Sequence, residues 1–359
     1  MRILAINPGS TSTKVAVFED EEKVFQKDIL HSAEELSRFP DIPDQLPYRK
    51  KMIEDTLAAA GFFTDDFDAF VGRVGGVMPC EGGVYEASGL LLEHTRSCCV
   101  ARHPANLGSV LVAEFAARRG LKGYVVDPPD TDELQPVARI SGLKGVARES
   151  RFHALNQKEV ARRAAADLGK TYATARLIVA HLGGGISLGV HREGRAVDVT
   201  DLINGDGPMA PTRMGSMTAR AIMNLYAAGK SDRDIHALIM RDGGVLHHLG
   251  VSDMREVEKR AYAGDDYAAL VYEALIYQVA KYIGAFATVL CGDVDAVALT
   301  GGLTHSARIT DALTERVGFI APVLIYPGEF EMEALANSIL RVARGEESVK
   351  HYEPRRVDL

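Results

Sequence analysis

Three glycine-bearing turns each follow an apolar, β-prone run, and each has the composition to meet a phosphate. Gly9-Ser10-Thr11-Ser12-Thr13-Lys14 follows Ile3–Ile6, Gly183-Gly184-Gly185 follows Leu177–Leu182, and Gly301-Gly302 follows Ala296–Thr300. Turns of this kind expose backbone N–H groups, with few Cβ atoms in the way of an anion. The first is not a P-loop: no second glycine precedes Lys14, and a strand-like run follows instead of a helix. It reads either as a plain hairpin turn or as a phosphate seat. The consecutive hydroxyls favour the seat, with Ser10, Thr11, Ser12 and Lys14 as the contacts. Gly183, Gly184 and Gly185 read the same way, with a flexible turn as the alternative. His181 ends the strand before them and reads as a donor to an oxyanion or as a satisfied core histidine. Gly301 and Gly302 are weaker alone: they suit an adenosine face or a close strand–helix crossing.

These turns need strands to hold them, and the chain supplies two similar sets. Arg2–Ile6, Lys14–Phe18 and Val24–Ile29 read as three strands; Arg176–His181, Ile186–Val190 and Arg195–Val199 repeat that order. Each set is followed by helical material and then by a strand with a Gly-Gly exit, at Gly75-Gly76 and at Gly301-Gly302. The repeat lies in element order and not in residue identity. Helices are expected at 48–60, 105–119, 154–168, 217–228, 231–240 and 331–344. The proline-rich stretch 40–47 is expected to be a linker. The apolar run 267–290 carries Glu273, Gln278 and Lys281, so it reads as a core helix and not a membrane span. The fold class expected is α/β: duplicated actin-like ATPase (ribonuclease H-like) domains around an interdomain nucleotide cleft. The expected lobes are 1–150 with 332–359, and 151–331.

Ile6-Asn7-Pro8-Gly9-Ser10-Thr11-Ser12-Thr13-Lys14, Phe152-His153-Ala154-Leu155-Asn156-Gln157 and His181-Leu182-Gly183-Gly184-Gly185-Ile186-Ser187 resemble, in order, the signatures of the acetate and butyrate kinase family, on its butyrate side. The resemblance implies ATP-dependent phosphorylation of a short-chain carboxylate, with ATP/ADP and Mg²⁺ as cofactors. It implies catalytic roles for Arg73, His103, Asp127, His153 and Arg213, and a place for His181 beside the transferred phosphoryl group. Asp127 and Glu331 are implied as metal-associated, with Glu329 competing for the last place, and Asn7 can hydrogen-bond a phosphate oxygen or a metal-bound water. On the residues alone, the favoured reading of Arg73 is a strand-end arginine in a surface ion pair, and that of Asp127 a turn-starting aspartate before two prolines. Met214 departs from the small or polar residue that commonly follows the second arginine of the family, which bears on acyl preference.

Composition narrows the classes. The 359 residues carry a net charge of -8, with no basic face to bind nucleic acid. The four cysteines, Cys80, Cys98, Cys99 and Cys291, form no CxxC pair, so a zinc site is not expected and a reducing cytoplasm is. The opening apolar run is too short for a signal-peptide core. The resemblance implies a small carboxylate or acyl phosphate and further copies of the chain as partners, and composition points to neither nucleic acid nor membrane. Two other classes fit an actin-like frame: a sugar kinase or polyphosphate hydrolase, and a non-enzymatic nucleotide-dependent interaction module.

Overall fold

The computed structural model describes residues 1–355, and its contacts divide the chain into two compact units. Of the described residues, the first comprises 1–132 with 330–355 and the second comprises 133–329.

In the first unit, β1 (Arg2–Pro8) runs antiparallel to β2 (Ser12–Glu19), which runs antiparallel to β3 (Glu22–Leu30). β1 is almost wholly buried. β3 is an edge strand and mostly exposed, and its Glu22, Lys23, Lys27 and Asp28 suit a strand that must not pair further. Four buried residues form β4 (Ala69–Gly72), parallel to β1 with Ile6 opposite Gly72. β5 (Val84–Glu86) and β6 (Gly123–Val126) complete the sheet with the two-residue strand Val349–Lys350 at the far edge. β1, β4 and β6 are parallel, so their carboxyl ends share one edge. In open α/β sheets that is where ligands bind. Asn7, Arg73 and Asp127 all stand there.

The second unit repeats the plan. β7 (Arg176–Leu182), β8 (Ile186–Arg192) and β9 (Arg195–Val199) are antiparallel neighbours; β10 (Ala296–Gly301) and β11 (Val323–Pro327) extend the sheet parallel to β7. The order β11-β10-β7-β8-β9 is that of β6-β4-β1-β2-β3. The fold is thus a duplicated actin-like one, as expected from element order. The helix Asp266–Val289 buries Ala268, Val271, Tyr272, Leu275, Ile276, Val279, Ile283 and Phe286, a stripe at three- and four-residue spacing. No helix among the described residues is long and apolar enough to cross a membrane.

Three expectations need adjustment. The stretch 133–150 packs with the second unit, and Phe330 and Glu331, expected there, belong to the first. Glu133 accepts from buried Lys158 at 2.8 Å and from the Ala196 amide at 2.7 Å, and the Gln135 amide donates to Val197 O. Part of the expected linker at 40–47 is helical: Pro43 opens a 3₁₀ turn and Leu46–Ala59 is an α-helix, because Pro47 falls in its first turn, where no N–H is needed. The helix expected at 231–240 stops at Ala237 and gives way to a π-turn over Leu238–Asp242.

The helix Asn106–Arg118 crosses β4 at glycine contacts. A Cβ on Gly108 would lie 1.8 Å from the Arg73 carbonyl oxygen, and one on Gly72 2.8 Å from that of Gly108. Glycine here fixes how near the helix lies to the backbone carrying Arg73. Gly108→Ala is expected to lower unfolding stability by about 1–3 kcal/mol and to depress turnover through the displaced Arg73. Chemical unfolding and steady-state kinetics check this pair of effects.

Candidate active site

At the first unit's strand edge, the side-chain amide of Asn7 donates to Glu331 Oε2 at 2.6 Å. Arg73 Nη1 lies 3.6 Å from the same oxygen. The Arg73 amide donates to Ile6 O at 2.9 Å, which ties the exit of β4 to β1. Glu331 opens the helix Glu331–Ala343, where the dipole favours a carboxylate. Glu329 stands elsewhere: its Oε1 is 3.6 Å from His181 Nε2, in the second unit. Asp127, just past β6, is buried and has φ of 37°. Its carboxylate accepts from the Gly83 amide at 2.7 Å, and its own amide donates to Gly83 O at 3.1 Å. A left-handed aspartate in the interior is a strained placement of the kind that clusters at functional sites.

The Gly9 turn is held from behind by a residue the sequence reading left unmarked. Arg49 is fully buried, and its Nη1 donates to Gly9 O at 3.0 Å, Ser12 O at 3.2 Å and Thr13 Oγ1 at 2.9 Å. Its Nε donates to Gln45 at 3.0 Å. No carboxylate among the described residues pairs with it, and burial lowers its pKa to about 10. Gly9 N donates to Ser12 O at 2.7 Å and closes the turn. Ser10 and Thr11 are exposed, and no acceptor among the described residues takes their amides. Lys14, on β2, is the register partner of Asn7. Thr13 also meets His31 Nε2 at 2.9 Å, and the ring's Nδ1 meets Tyr48 at 3.2 Å.

His103 accepts the Ala105 amide on Nδ1 at 3.1 Å. Its crowded surroundings, followed by the charges of Arg73 and Arg49, hold its pKa below the usual histidine value. The ring is therefore mostly neutral at pH 7, with its proton on Nε2.

At the second unit's strand edge, His181 on β7 is opposite Thr300 on β10. Asn156 Nδ2 reaches His181 Nδ1 at 2.9 Å and Thr300 Oγ1 at 3.4 Å. The His153 ring stacks on His181 with centroids 3.8 Å apart and 15° between planes. Gly183, Gly184 and Gly185 form the adjoining turn, and Thr212 donates to Gly184 O at 3.0 Å through its hydroxyl. This draws in Arg213: a Cβ on Gly185 would lie 2.9 Å from its Cζ. Arg213 Nη1 donates to Leu202 O at 3.4 Å, and its Nε is buried without an acceptor. Burial lowers its pKa, and no carboxylate among the described residues pairs with it. Met214 lies against Gly243, whose missing Cβ makes room for it. Gly184 and Gly302 also line an open cavity of about 750 Å³ with Asp253, Arg255, His305 and Ser306. Asp253 and Arg255 have no glycine-rich turn beside them, whereas His305 and Ser306 follow closely on Gly301-Gly302.

No three His, Cys, Asp or Glu side chains cluster as a metal cage among the described residues. Asn7 and Glu331 instead offer two hard oxygen donors at one strand end. That set fits a cation that keeps its waters and binds substrate phosphates, as Mg²⁺ does, and not one that needs an all-protein cage.

Residues 137–321 match the acetokinase family. The chain is 43% identical to Butyrate kinase 1 of Clostridium acetobutylicum over 352 residues, 98% of this chain and 99% of that protein. The chain belongs to the acetokinase family. Among solved structures, the acetate kinase of Porphyromonas gingivalis superposes with a TM-score of 0.79 at 20% identity, covering 95% of this chain and 99% of that one. A propionate kinase from Francisella tularensis subsp. tularensis gives 0.75 at 18% identity, covering 93% and 98%. At those identities the superpositions establish the shared fold.

Two outcomes follow for this acetokinase. Gly185→Ala is expected to leave the unfolding midpoint nearly unchanged, since only the tip of Arg213 must give way. The misplaced guanidinium should cost roughly tenfold to a hundredfold in kcat, read by steady-state assay. Burial, with a smaller contribution from the Arg49 charge, lowers the His31 pKa from 6.5 to about 4. The unfolded chain then binds more protons between those values, so stability should fall as pH drops from about 6.5 towards 4. His31→Gln should flatten that slope in a pH series of unfolding curves.

Proposed function

We propose that this acetokinase is a butyrate kinase, transferring the γ-phosphoryl group of ATP reversibly to butyrate or a branched short-chain carboxylate. The products are the acyl phosphate and ADP. The observation that carries the reading is the match to a butyrate kinase along almost the whole of both chains. The side chains at the two strand edges support it.

A carboxylate with a pKa near ~4–5 is already ionised at neutral pH and needs no general base. A sugar hydroxyl, by contrast, benefits from one. The barrier here is repulsion between an anion and an anionic phosphoryl group, so catalysis rests on donors and positive charge at the equatorial oxygens. In this reading Arg213, short of acceptors, takes phosphoryl oxygens, and His153 and His181 donate to them. Arg73 and His103 hold and orient the carboxylate. The Gly9–Ser12 turn and Gly183–Gly185 bind nucleotide phosphates, and the cavity beside Gly302 takes the nucleoside. Asn7 and Glu331 would hold Mg²⁺ and its waters, with Asp127 assisting; the ion would neutralise phosphate charge. Transfer is direct and in line.

The test is hydroxylamine trapping of acyl phosphate with acetate, propionate, butyrate, isobutyrate and isovalerate. A maximum at butyrate or a branched acid is expected. A maximum at acetate would overturn the acyl assignment, and no product from folded protein that binds ATP would overturn the activity. Arg213→Ala and Arg73→Ala should each lower kcat by about a hundredfold or more while changing nucleotide affinity much less.

A further inference from the structure

A chain of polar groups, half-buried at Tyr172 and His153 and buried between them, runs through the second unit. Gln157 Nε2 lies 3.1 Å from the backbone oxygen of Ser187 and 2.8 Å from its hydroxyl. A carbonyl oxygen can only accept, so the amide orientation of Gln157 is fixed: its NH₂ faces Ser187 and its Oε1 faces His191. His191 Nε2 is 3.2 Å from that Oε1 and must carry hydrogen, while its Nδ1 meets Tyr172 Oη at 2.8 Å. Burial, followed by the charge of Lys158, holds the His191 pKa down to about 3, so this ring is neutral and accepts from Tyr172. The Ser187 hydroxyl oxygen accepts from Gln157 and from the His153 amide at 3.3 Å, which occupies both lone pairs. Its own proton has His153 Nδ1 as acceptor, 2.7 Å away.

We propose that Tyr172, His191, Gln157 and Ser187 form a one-directional donor relay that locks His153 as its neutral Nε2–H tautomer. This rests on the reading of His153 as a donor to the transferred phosphoryl group. A second proton on Nδ1 would face an oxygen with no lone pair left. The ring therefore presents a hydrogen at Nε2 and a blocked nitrogen at Nδ1: it donates to an anionic oxygen and offers neither nitrogen as a nucleophile. The two other histidines of the strand edges follow the same rule. The Asn156 amide caps Nδ1 of His181, and the Ala105 amide caps Nδ1 of His103. Ser187 and Gln157 are thus positioning residues for the phosphoryl transfer, neither of them touching substrate.

The test is long-range ¹H–¹⁵N correlation of the ligand-free full chain labelled on histidine, with His153 assigned by the signals lost in His153→Gln. A pyridine-like Nδ1 and a pyrrole-like Nε2 at pH 7 are expected; the reverse pattern, or an imidazolium, overturns the proposal. Gln157→Glu can only accept from Ser187, so it should draw the hydroxyl proton away and free Nδ1 to take one. His153 should then change its ¹⁵N pattern, and kcat should fall about tenfold or more with the KM for ATP little changed. An unaltered pattern and unaltered kcat in folded Gln157→Glu also overturn the relay. If that variant does not fold, the wild-type spectrum decides alone. The spectrum needs no turnover, so an absence of acyl phosphate would remove the functional reading and leave the tautomer result standing.

Discussion

The proposed reaction brings two anions together, and the arginines and hydrogen-bond donors of the strand edges suit that repulsion. Arg49 and Arg213 pair with no carboxylate among the described residues, while Arg73 lies 3.6 Å from Glu331. Arg49 is the extreme case: fully buried, bonded to three backbone or hydroxyl oxygens of one turn, and paired with no carboxylate among the described residues. Burying an ion costs several kcal/mol even after relaxation. Nothing in the turn's own stability requires that cost, since Gly9 and Ser12 already close it. The cost is intelligible if the charge acts beyond the turn. Arg49 gathers the carbonyls of Gly9 and Ser12 on its side, and a trans peptide then turns the following N–H the other way. The exposed amide of Ser10 is one such group.

The duplicated fold lets the same sheet order serve two different tasks. Both units place the exit of their first strand beside the exit of the parallel strand next to it. In the first unit these exits carry Asn7 and Arg73, with a glutamate brought in by a returning helix. In the second they carry His181 and the Gly301-Gly302 pair, with a stacked His153 and an arginine pressed against glycine. Charge and oxygen donors dominate the first edge; imidazole rings, one arginine and bare backbone dominate the second. In the proposed reaction the first edge would manage the carboxylate and cation, and the glycine turns of both units the nucleotide phosphates.

Much of this was legible in the sequence where local chemistry decides. The glycine turns announce themselves after apolar runs, and the repeated strand order needs only period and punctuation to see. His153, Asn156 and Gln157 lie within one quoted stretch, though nothing local says that Gln157 orients a serine 30 residues away. Arg49 was not legible at all. It sits beside Lys50 and Lys51, a run that reads as a solvated helix face, and only tertiary packing turns it inward. Asp127 reads as an ordinary turn residue before two prolines; its left-handed backbone and its bonds to Gly83 exist only in the fold. Asp253 and Arg255 carried no signal because their cavity is built by approach of distant segments.

The treatment of histidine shows how these choices depend on one another. Arginines supply fixed charge, so the rings nearby need not be charged to be useful. Protonating them would also spread cationic repulsion through the edge that the arginines already occupy. Burial and the neighbouring guanidiniums push His31 and His103 towards the neutral form. A neutral imidazole, however, is ambiguous: it donates from one nitrogen and accepts at the other, and the wrong tautomer would turn a lone pair towards an anionic oxygen. Lowering the pKa therefore creates a second requirement, that something choose the tautomer. The hydrogen bonds to Nδ1 of His103, His153 and His181 make that choice, from a backbone amide, a serine hydroxyl and an asparagine amide respectively. In each unit unrelated donors hold the same ring position, as suits histidines that supply a hydrogen bond where arginines carry the charge.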